Sequence, residues 1–395
     1  MRRQIIIFTL IFAAALLQTA GALAQIEAEP SGFLSNVQVS SDELNIAANE
    51  KTRIEFRLTQ SAKVTLVIYN AGHVPVRTLA TDLPCAAGVN ALEWNGRDDA
   101  GAPVPDEAYY FTISAVGSRQ QVASFDPALT SGGERIKFGD DNLKFDAEAG
   151  GIVYELPYAA RVQIRIGVTN GPLLKTLVQW APRKKGRHCE PWDRKDASGS
   201  ITLTELKNLR ILGRAMALPE KSIIVKGGGA ASASTEPVTQ DTALRRTAVD
   251  ASLAKRARPI EPAAWTPFGK NTDPVFSLSL KSDKNAVDTK SAPPSSEKGV
   301  AVRGETAFEI ALDDAARMAL MEQRFEIVFF VDYSLIGEVE QGYSPYTWVW
   351  DSTSVADGQH VITFNVSGMN DQIGAQSLIV DVQNNTRLWN NYGHT

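Results

Sequence analysis

"RIEFRLTQSAKVTLVIYNAGHVPVRTL", Arg53 to Leu79, and "GIVYELPYAARVQIRIGVTNGPLLKTL", Gly151 to Leu177, lie on one another without a gap. They start 98 residues apart, and the same offset carries Trp94 onto Trp192, Asp98 onto Asp196 and Gly101 onto Gly199. In the first stretch Ile54, Phe56 and Leu58 alternate with polar neighbours, and Val64, Leu66 and Ile68 do so again. The second stretch repeats this with Ile152, Tyr154 and Leu156, then Val162, Ile164 and Ile166. Period-two alternation predicts half-buried strands in antiparallel sheets. Each large inward side chain contributes about 1.5–3 kcal/mol when buried. That explains why the inward set persists while outward Lys63 and Thr65 become Arg161 and Gln163. A unit of this length is one β-sandwich, not a solenoid repeat.

Between the strands lies "WNGRDDAGAPVPDEAYYF", Trp94 to Phe111, with an Arg, four acidic residues and four aromatics. It reads either as a catalytic or cation-binding loop or as a turn. Leu92 and Trp94 point inward, Gly96 and Gly101 turn the chain, and Tyr109, Phe111 and Ile113 return to the core. Asn, Asp and Gly suit such a tip because they tolerate turn geometry and bond their own backbone. Acid–base chemistry needs two carboxylates with separated roles. The second copy keeps Asp98 as Asp196 but replaces Asp99 with Ala197, which favours a structural turn built by Trp94, Gly96, Asp98 and Gly101 and by Trp192, Asp196 and Gly199.

The run "IYNAGHVPVRTL", then "GVNALEWNGRDDAGAPVP", then "YYFTI" resembles the immunoglobulin-like domain of the flagellar hook-capping protein, over about Val37 to Val116. Trp94, Gly96, Arg97, Asp98 and Gly101 are its most specific part. That resemblance implies an immunoglobulin-like sandwich of a kind appended to secreted bacterial proteins. Glu107-Ala108 stands where the family usually has a Gly. The second copy keeps "WDRKDASG" but has "LRILG" in place of the aromatic strand.

The N-terminus reads as an export signal: Met1-Arg2-Arg3, an apolar run of thirteen positions from Ile5 to Leu17, and Ala22-Leu23-Ala24 before Gln25. Thirteen residues are too few to span ~30 Å of hydrocarbon, and no later run is apolar enough to do so. The expectation is an exported protein, periplasmic or extracellular at the cell surface, with no membrane span after cleavage. A net charge of −5 and pI near 5.6 argue against nucleic acid as a partner.

Residues 226–299 are rich in Gly, Ala, Ser and Pro and read as a long flexible linker. Within it "RR" at Arg245 and "KRAR" from Lys255 form a mild basic patch, and "AAWTPFGK" and "VFSLSL" could dock or add an edge strand. Strands resume near Val300, with a short helix in "DDAARMALMEQ". The stretch resembles bacterial immunoglobulin-like modules at Phe329, Val331, Asp332, Gly337, Tyr346, Trp350, Asp351, Asp357, Gly358 and His360, with Tyr333 in place of a turn Gly. Trp348 and Trp350 share a face, making that strand unusually aromatic.

The expected organisation is all-β: signal 1–24, sandwich 1 over 25–118, sandwich 2 over 119–225, linker 226–299, sandwich 3 over 300–383 and tail 384–395. Cys85 and Cys189 are the candidates for a disulfide; a bridge needs Cα atoms within about 7 Å and so requires side-by-side packing of the copies. His73, His188, His360 and His394 lack metal-ligand spacing, and no phosphate loop or nucleophile elbow occurs. No metal or cofactor is expected. Trp180, Trp265 and Trp389 are off the inward pattern and are candidate binding aromatics. The function expected is a non-enzymatic scaffold or adhesion-type protein that binds a protein partner or surface polysaccharide. The alternatives are an accessory subunit of an envelope complex and a carbohydrate-binding accessory protein.

Overall fold

The structure, a computed structural model, describes residues 32–138, 142–203, 206–229, 273–281, 299–321, 324–369 and 371–385. The signal segment, the tail beyond 385, Trp265, Trp389 and most of the segment read as linker lie outside the described residues. What is described is three immunoglobulin-like sandwiches, built almost wholly from strands.

Sandwich 1 opens with β1 (Leu34–Val39), β2 (Glu43–Asn45), β3 (Thr52–Leu58), β4 (Ala62–Tyr69), β5 (Pro75–Cys85), β6 (Gly88–Trp94), β7 (Glu107–Gly117) and β8 (Val122–Phe125). One sheet runs β1-β3-β6; the other carries β5, β4 and β7, with β8 on part of the outer edge of β7. A one-turn helix, α1 (Pro127–Thr130), is capped by Asp126, whose side chain accepts the Ala128 N–H. Sandwich 2 follows: β9 (Arg135–Ile136), β10 (Leu143–Asp146), β11 (Gly151–Leu156), β12 (Ala160–Val168), β13 (Leu173–Arg183), β14 (Gly186–Pro191) and β15 (Leu209–Ala217). Its sheets are β10-β11-β14 and β13-β12-β15-β9.

The repeat is visible in the backbone as well as in the side chains. Ile54, Phe56, Leu58, Val64, Leu66 and Ile68 and their six counterparts are all 3% exposed or less. In the β4–β5 ladder the register slips between Val64↔Leu83 and Leu66↔Ala80; in the β12–β13 ladder it slips between Val162↔Ala181 and Ile164↔Val178. Every one of these positions differs by the same 98 residues. At the slip Asp82 and Trp180 take positive φ, 47° and 46°, the local left-handed residue that a β-bulge needs.

The next strand, β16 (Ile223–Lys226), follows sandwich 2 in sequence but belongs to sandwich 1. It pairs antiparallel with the Glu107–Tyr109 part of β7 and parallel with β2. Ile223 and Val225 are 0% and 1% exposed, in the core that holds Trp94 and Phe111. Sandwich 2 is therefore inserted between the last two strands of sandwich 1. The expected boundary at 225 is corrected to this extent: the segment that looked like the end of sandwich 2 closes its neighbour.

Sandwich 3 comprises β17 (Phe276–Leu280), β18 (Val300–Val302), β19 (Glu305–Leu312), helix α2 (Asp314–Met321), β20 (Glu326–Val331), β21 (Ser334–Val339), β22 (Tyr346–Asp351), β23 (Gly358–Ser367) and β24 (Ile373–Val382). Its sheets run β17-β19-β22 and β18-β24-β23-β20-β21. A parallel pair, β18 with β24, closes it as β2 with β16 closes sandwich 1. Strand β17 lies within the stretch expected to be linker; Phe276 enters the core at 3% exposure, so "VFSLSL" is an edge strand of this sandwich.

Two junctions tie the sandwiches together, and β12 carries both. Its outward residues Arg161, Gln163 and Arg165 are 6%, 2% and 6% exposed. Arg161 pairs with Glu107 of sandwich 1 at 2.7 Å, beside an apolar contact among Ala108, Leu218 and Ile224. Arg165 meets Asp371 at 3.0 Å and Asp273 at 3.2 Å on the sandwich 3 side. Gln163 and Arg214 also reach Asp371, and Gln179 reaches Asp273. The Asn365 amide bonds both backbone groups of Leu173, while Tyr333, Val361 and Ile379 pack against the core of sandwich 2. The outward positions that looked free to vary are interface positions.

Candidate functional site

The acidic turns are closed hydrogen-bonded units. Trp94, 1% exposed, donates its indole N–H to the Arg97 carbonyl at 2.9 Å, and Trp192 does the same to Lys195 at 3.0 Å. The Asp98 carboxylate accepts the Ala102 N–H at 2.8 Å. Asp196, 1% exposed, accepts from Ser200 and Ile201 backbone N–H groups at 3.0 and 3.1 Å and from the Ser198 hydroxyl at 2.6 Å. Gly101 and Gly199 turn the chain at φ 82° and 73°. Gly96 has φ 72°, and a Cβ there would meet Ile46 and Leu44 at under 3 Å; in the copy Arg194 takes φ 64° instead. Asp99 is exposed and bonds the Thr78 N–H at 3.0 Å, near Arg77. The Asp98 and Asp196 carboxylates face backbone donors of their own turns, which is what shapes a turn, while Asp99 ties its turn to β5.

The remaining predicted residues do not come together. Cys85 is a free, buried thiol at the end of β5, its pKa raised by burial; Cys189 is free and exposed on β14. They lie in sheets of different sandwiches, Cys85 opposite Ala62 and Cys189 opposite Val153, and the candidate disulfide is not formed. Trp180 is not a surface aromatic: at 5% exposure it is buried at the bulge of β13. Its departure from the inward pattern is the register slip itself.

The most perturbed titratable cluster is Tyr154, Glu190 and Arg183. The Tyr154 hydroxyl donates to Glu190 at 2.7 Å, and Arg183 holds the same carboxylate at 2.7 and 3.0 Å. Burial, then Glu190, raise the Tyr154 pKa. Burial works to raise Glu190, but Arg183 and Tyr154 more than offset it and leave it lowered. Arg183 stands on β13 and Glu190 on β14, so the cluster ties the two sheets of sandwich 2 to each other. Among the described residues no group of three or more His, Cys, Asp or Glu is placed to hold a metal, and no helix is long and apolar enough to cross a membrane.

A surface that the sequence reading did not single out lies on sandwich 3. The six residues after β21 lead from the edge of one sheet to β22 at the edge of the other. Along this flank Trp348 stacks on Phe329 at 4.9 Å, Phe329 on Tyr346 at 5.9 Å, and Tyr343 meets Tyr346 at 5.1 Å. Tyr343, Val349, Leu335 and Ile336 are between 54% and 60% exposed. The signal was present in "YTWVW", an aromatic strand with an apolar outward residue at Val349.

The sandwich, its parallel closing strand pair and its Trp–Asp–Gly turn define an immunoglobulin-like module. Residues 41–119 match the FlgD Ig-like domain family. The match stops just past β7, so β16 lies beyond it. Among solved structures, fibronectin(III)-like modules of Clostridium thermocellum CbhA are 12% identical and cover 91% of this chain and 100% of theirs, at a TM-score of 0.19. FlgD from P. aeruginosa is 19% identical, covering 24% of this chain and 76% of its own, also at 0.19. A tetra-tandem repeat from the extending region of a large adhesion protein is 10% identical over 90% of this chain and 75% of its own, again at 0.19. At such scores the family match is the comparison that bears on this chain. No curated protein matches the sequence.

Proposed function

We propose that the protein is an exported, non-enzymatic scaffold or adhesion-type protein that binds protein partners or surface polymers through its immunoglobulin-like sandwiches. One observation supports this most: the three sandwiches are tied by a strand insertion and by buried polar junctions, while sheet edges and loops remain on the outside. Such an assembly holds binding edges at set spacings, and function on a common fold resides in its surface sites. The carboxylates with the most suggestive sequence context face their own turns. Capture from native envelope extract on the immobilised full chain tests the reading, with a stoichiometric partner or retained polymer expected. A turnover abolished by Asp98→Asn or Asp196→Asn with unchanged melting would overturn it.

A further inference from the structure

We infer that the flank of sandwich 3 accepts an extended, positively charged peptide strand that pairs along the outer edge of β22. This rests on the binding reading above and names its site and partner class. All six residues of β22 pair with β19 in unbroken register, and among the described residues nothing pairs with its other edge. An open edge presents a row of N–H and C=O groups to any incoming strand, and soluble proteins ordinarily blunt it with lysine, proline or a bulge. The neighbouring edge strand β21 is blunted in this way, by a register slip opposite Phe329 and Phe330. β22 is not: Pro345 precedes it without entering the ladder, and its outward residues are Thr347, Val349 and Asp351, with Val349 55% exposed.

Charge selects the partner. From Arg324 to Asp351 the chain carries five acidic residues, Glu326, Asp332, Glu338, Glu340 and Asp351, against Arg324 alone. Of the cationic groups beside it, Lys281 is paired with Glu309 at 3.1 Å while it donates to Thr347 at 3.1 Å, and His360 faces Asp332 alone of the five at 2.6 Å. A strand with Lys or Arg beside apolar residues complements this flank, whereas a second copy of the same acidic edge is repelled. Aromatic stacking on a sugar is disfavoured, because Phe329 covers one face of Trp348 in parallel contact and Phe364 packs against it edge-on. Main-chain pairing with alternate side chains reading the surface is the mode of β-augmentation.

Anisotropy of a labelled peptide of about ten residues, alternating valine and lysine and titrated with the full chain, tests the inference. The expected result is saturable binding, weakened at least about tenfold by Val349→Lys and by N-methylation of every second peptide amide, and absent for a valine–glutamate peptide. Val349 is exposed, so circular dichroism of the variant should match the parent. Binding indifferent to Val349→Lys or to N-methylation would overturn the inference. So would retention on insoluble polysaccharide, or dimerisation, that Val349→Lys weakens while the peptide does not bind. A partner captured elsewhere on the chain would then leave the broader binding reading intact, and failure of both assays would remove both.

Discussion

Shortening the side chain of Ile223 should destabilise a sandwich that lies before it by more than a whole domain. Ile223 is fully buried in the core containing Trp94 and Phe111 and pairs with Tyr109 across the β16–β7 ladder. Ile223→Ala removes three carbons at ~0.8 kcal/mol each and leaves a cavity, so the loss is about 3 kcal/mol within a usual range of 2–5. At 1.4 kcal/mol per factor of ten, amides protected by opening of this sandwich should exchange on the order of a hundredfold faster. Hydrogen exchange read by mass spectrometry resolves this segment by segment. Peptides covering β3, β4 and β7 should lose protection, while those covering β11 and β12 keep it, even though β16 follows β15 closely in the chain. A chain ending at 218 should show the same division more severely. Faster exchange confined to residues 219–229 would refute the reasoning, because β16 would then be an appendage and not a closing strand.

Three further outcomes follow from the turns and the junctions. Asp196→Ala orphans the buried Ile201 N–H and leaves the Ser200 N–H only the Ser198 hydroxyl at 3.2 Å, so it should cost about 2 kcal/mol, against about 1 or less for Asp98→Ala, where the freed Ala102 N–H is exposed; denaturant titration should rank them in that order. Arg165→Met leaves Asp273 without a cationic partner while Asp371 keeps Arg214, so the cost should fall below the roughly 3–5 kcal/mol of breaking a fully buried pair from one side; the radius of gyration by small-angle scattering should rise while each sandwich keeps its exchange protection. His360 faces the Asp332 carboxylate at 2.6 Å and the Ala356 carbonyl at 2.8 Å, so both ring nitrogens donate when it is charged. Burial works to lower its pKa, but those two acceptors raise it overall. A raised folded pKa means the contribution is whole below the ordinary value near 6.5 and is lost as pH rises through the higher folded value. Protection of the Asp332–Tyr333 turn should therefore fall across that window, and His360→Gln should remove the dependence.

Period-two patterning located the inward residues of both copies because burial on one face of a strand leaves that signature in any sheet. It could not say which sheet a strand joins. "IIVK" at Ile223–Lys226 is buried through its first three residues, and a run of that kind suits the last strand of sandwich 2 as well as that of sandwich 1. Only the partners distinguish them, and those lie 116 and 181 positions back in β7 and β2. Burial of Arg161, Gln163 and Arg165 was hidden for a related reason: outward polar residues read as solvated unless a neighbour covers them. Trp180 misled because it sits at the register slip of β13, buried yet outside the core cluster of sandwich 2, where strict alternation cannot place a residue. The turns were legible because Trp, Asp and Gly there serve local geometry, and local geometry recurs with the repeat.

Insertion changes what the junctions have to do. A domain joined at one end can swing, but sandwich 2 enters and leaves through sandwich 1, and the β16 ladder closes just after the chain returns. Arg161 and Arg165 stand four positions apart on β12, about 13 Å along a strand, and each neutralises carboxylates of a different neighbour. Sandwich 3 is held by the second of these contacts at Asp273, where the described chain resumes before β17. Its position is thus set by side chains on β12, β13 and β15, independently of the length of the segment between 229 and 273. Replacing Arg165 should therefore release sandwich 3 without loosening sandwich 1, whereas replacing Ile223 should do the reverse.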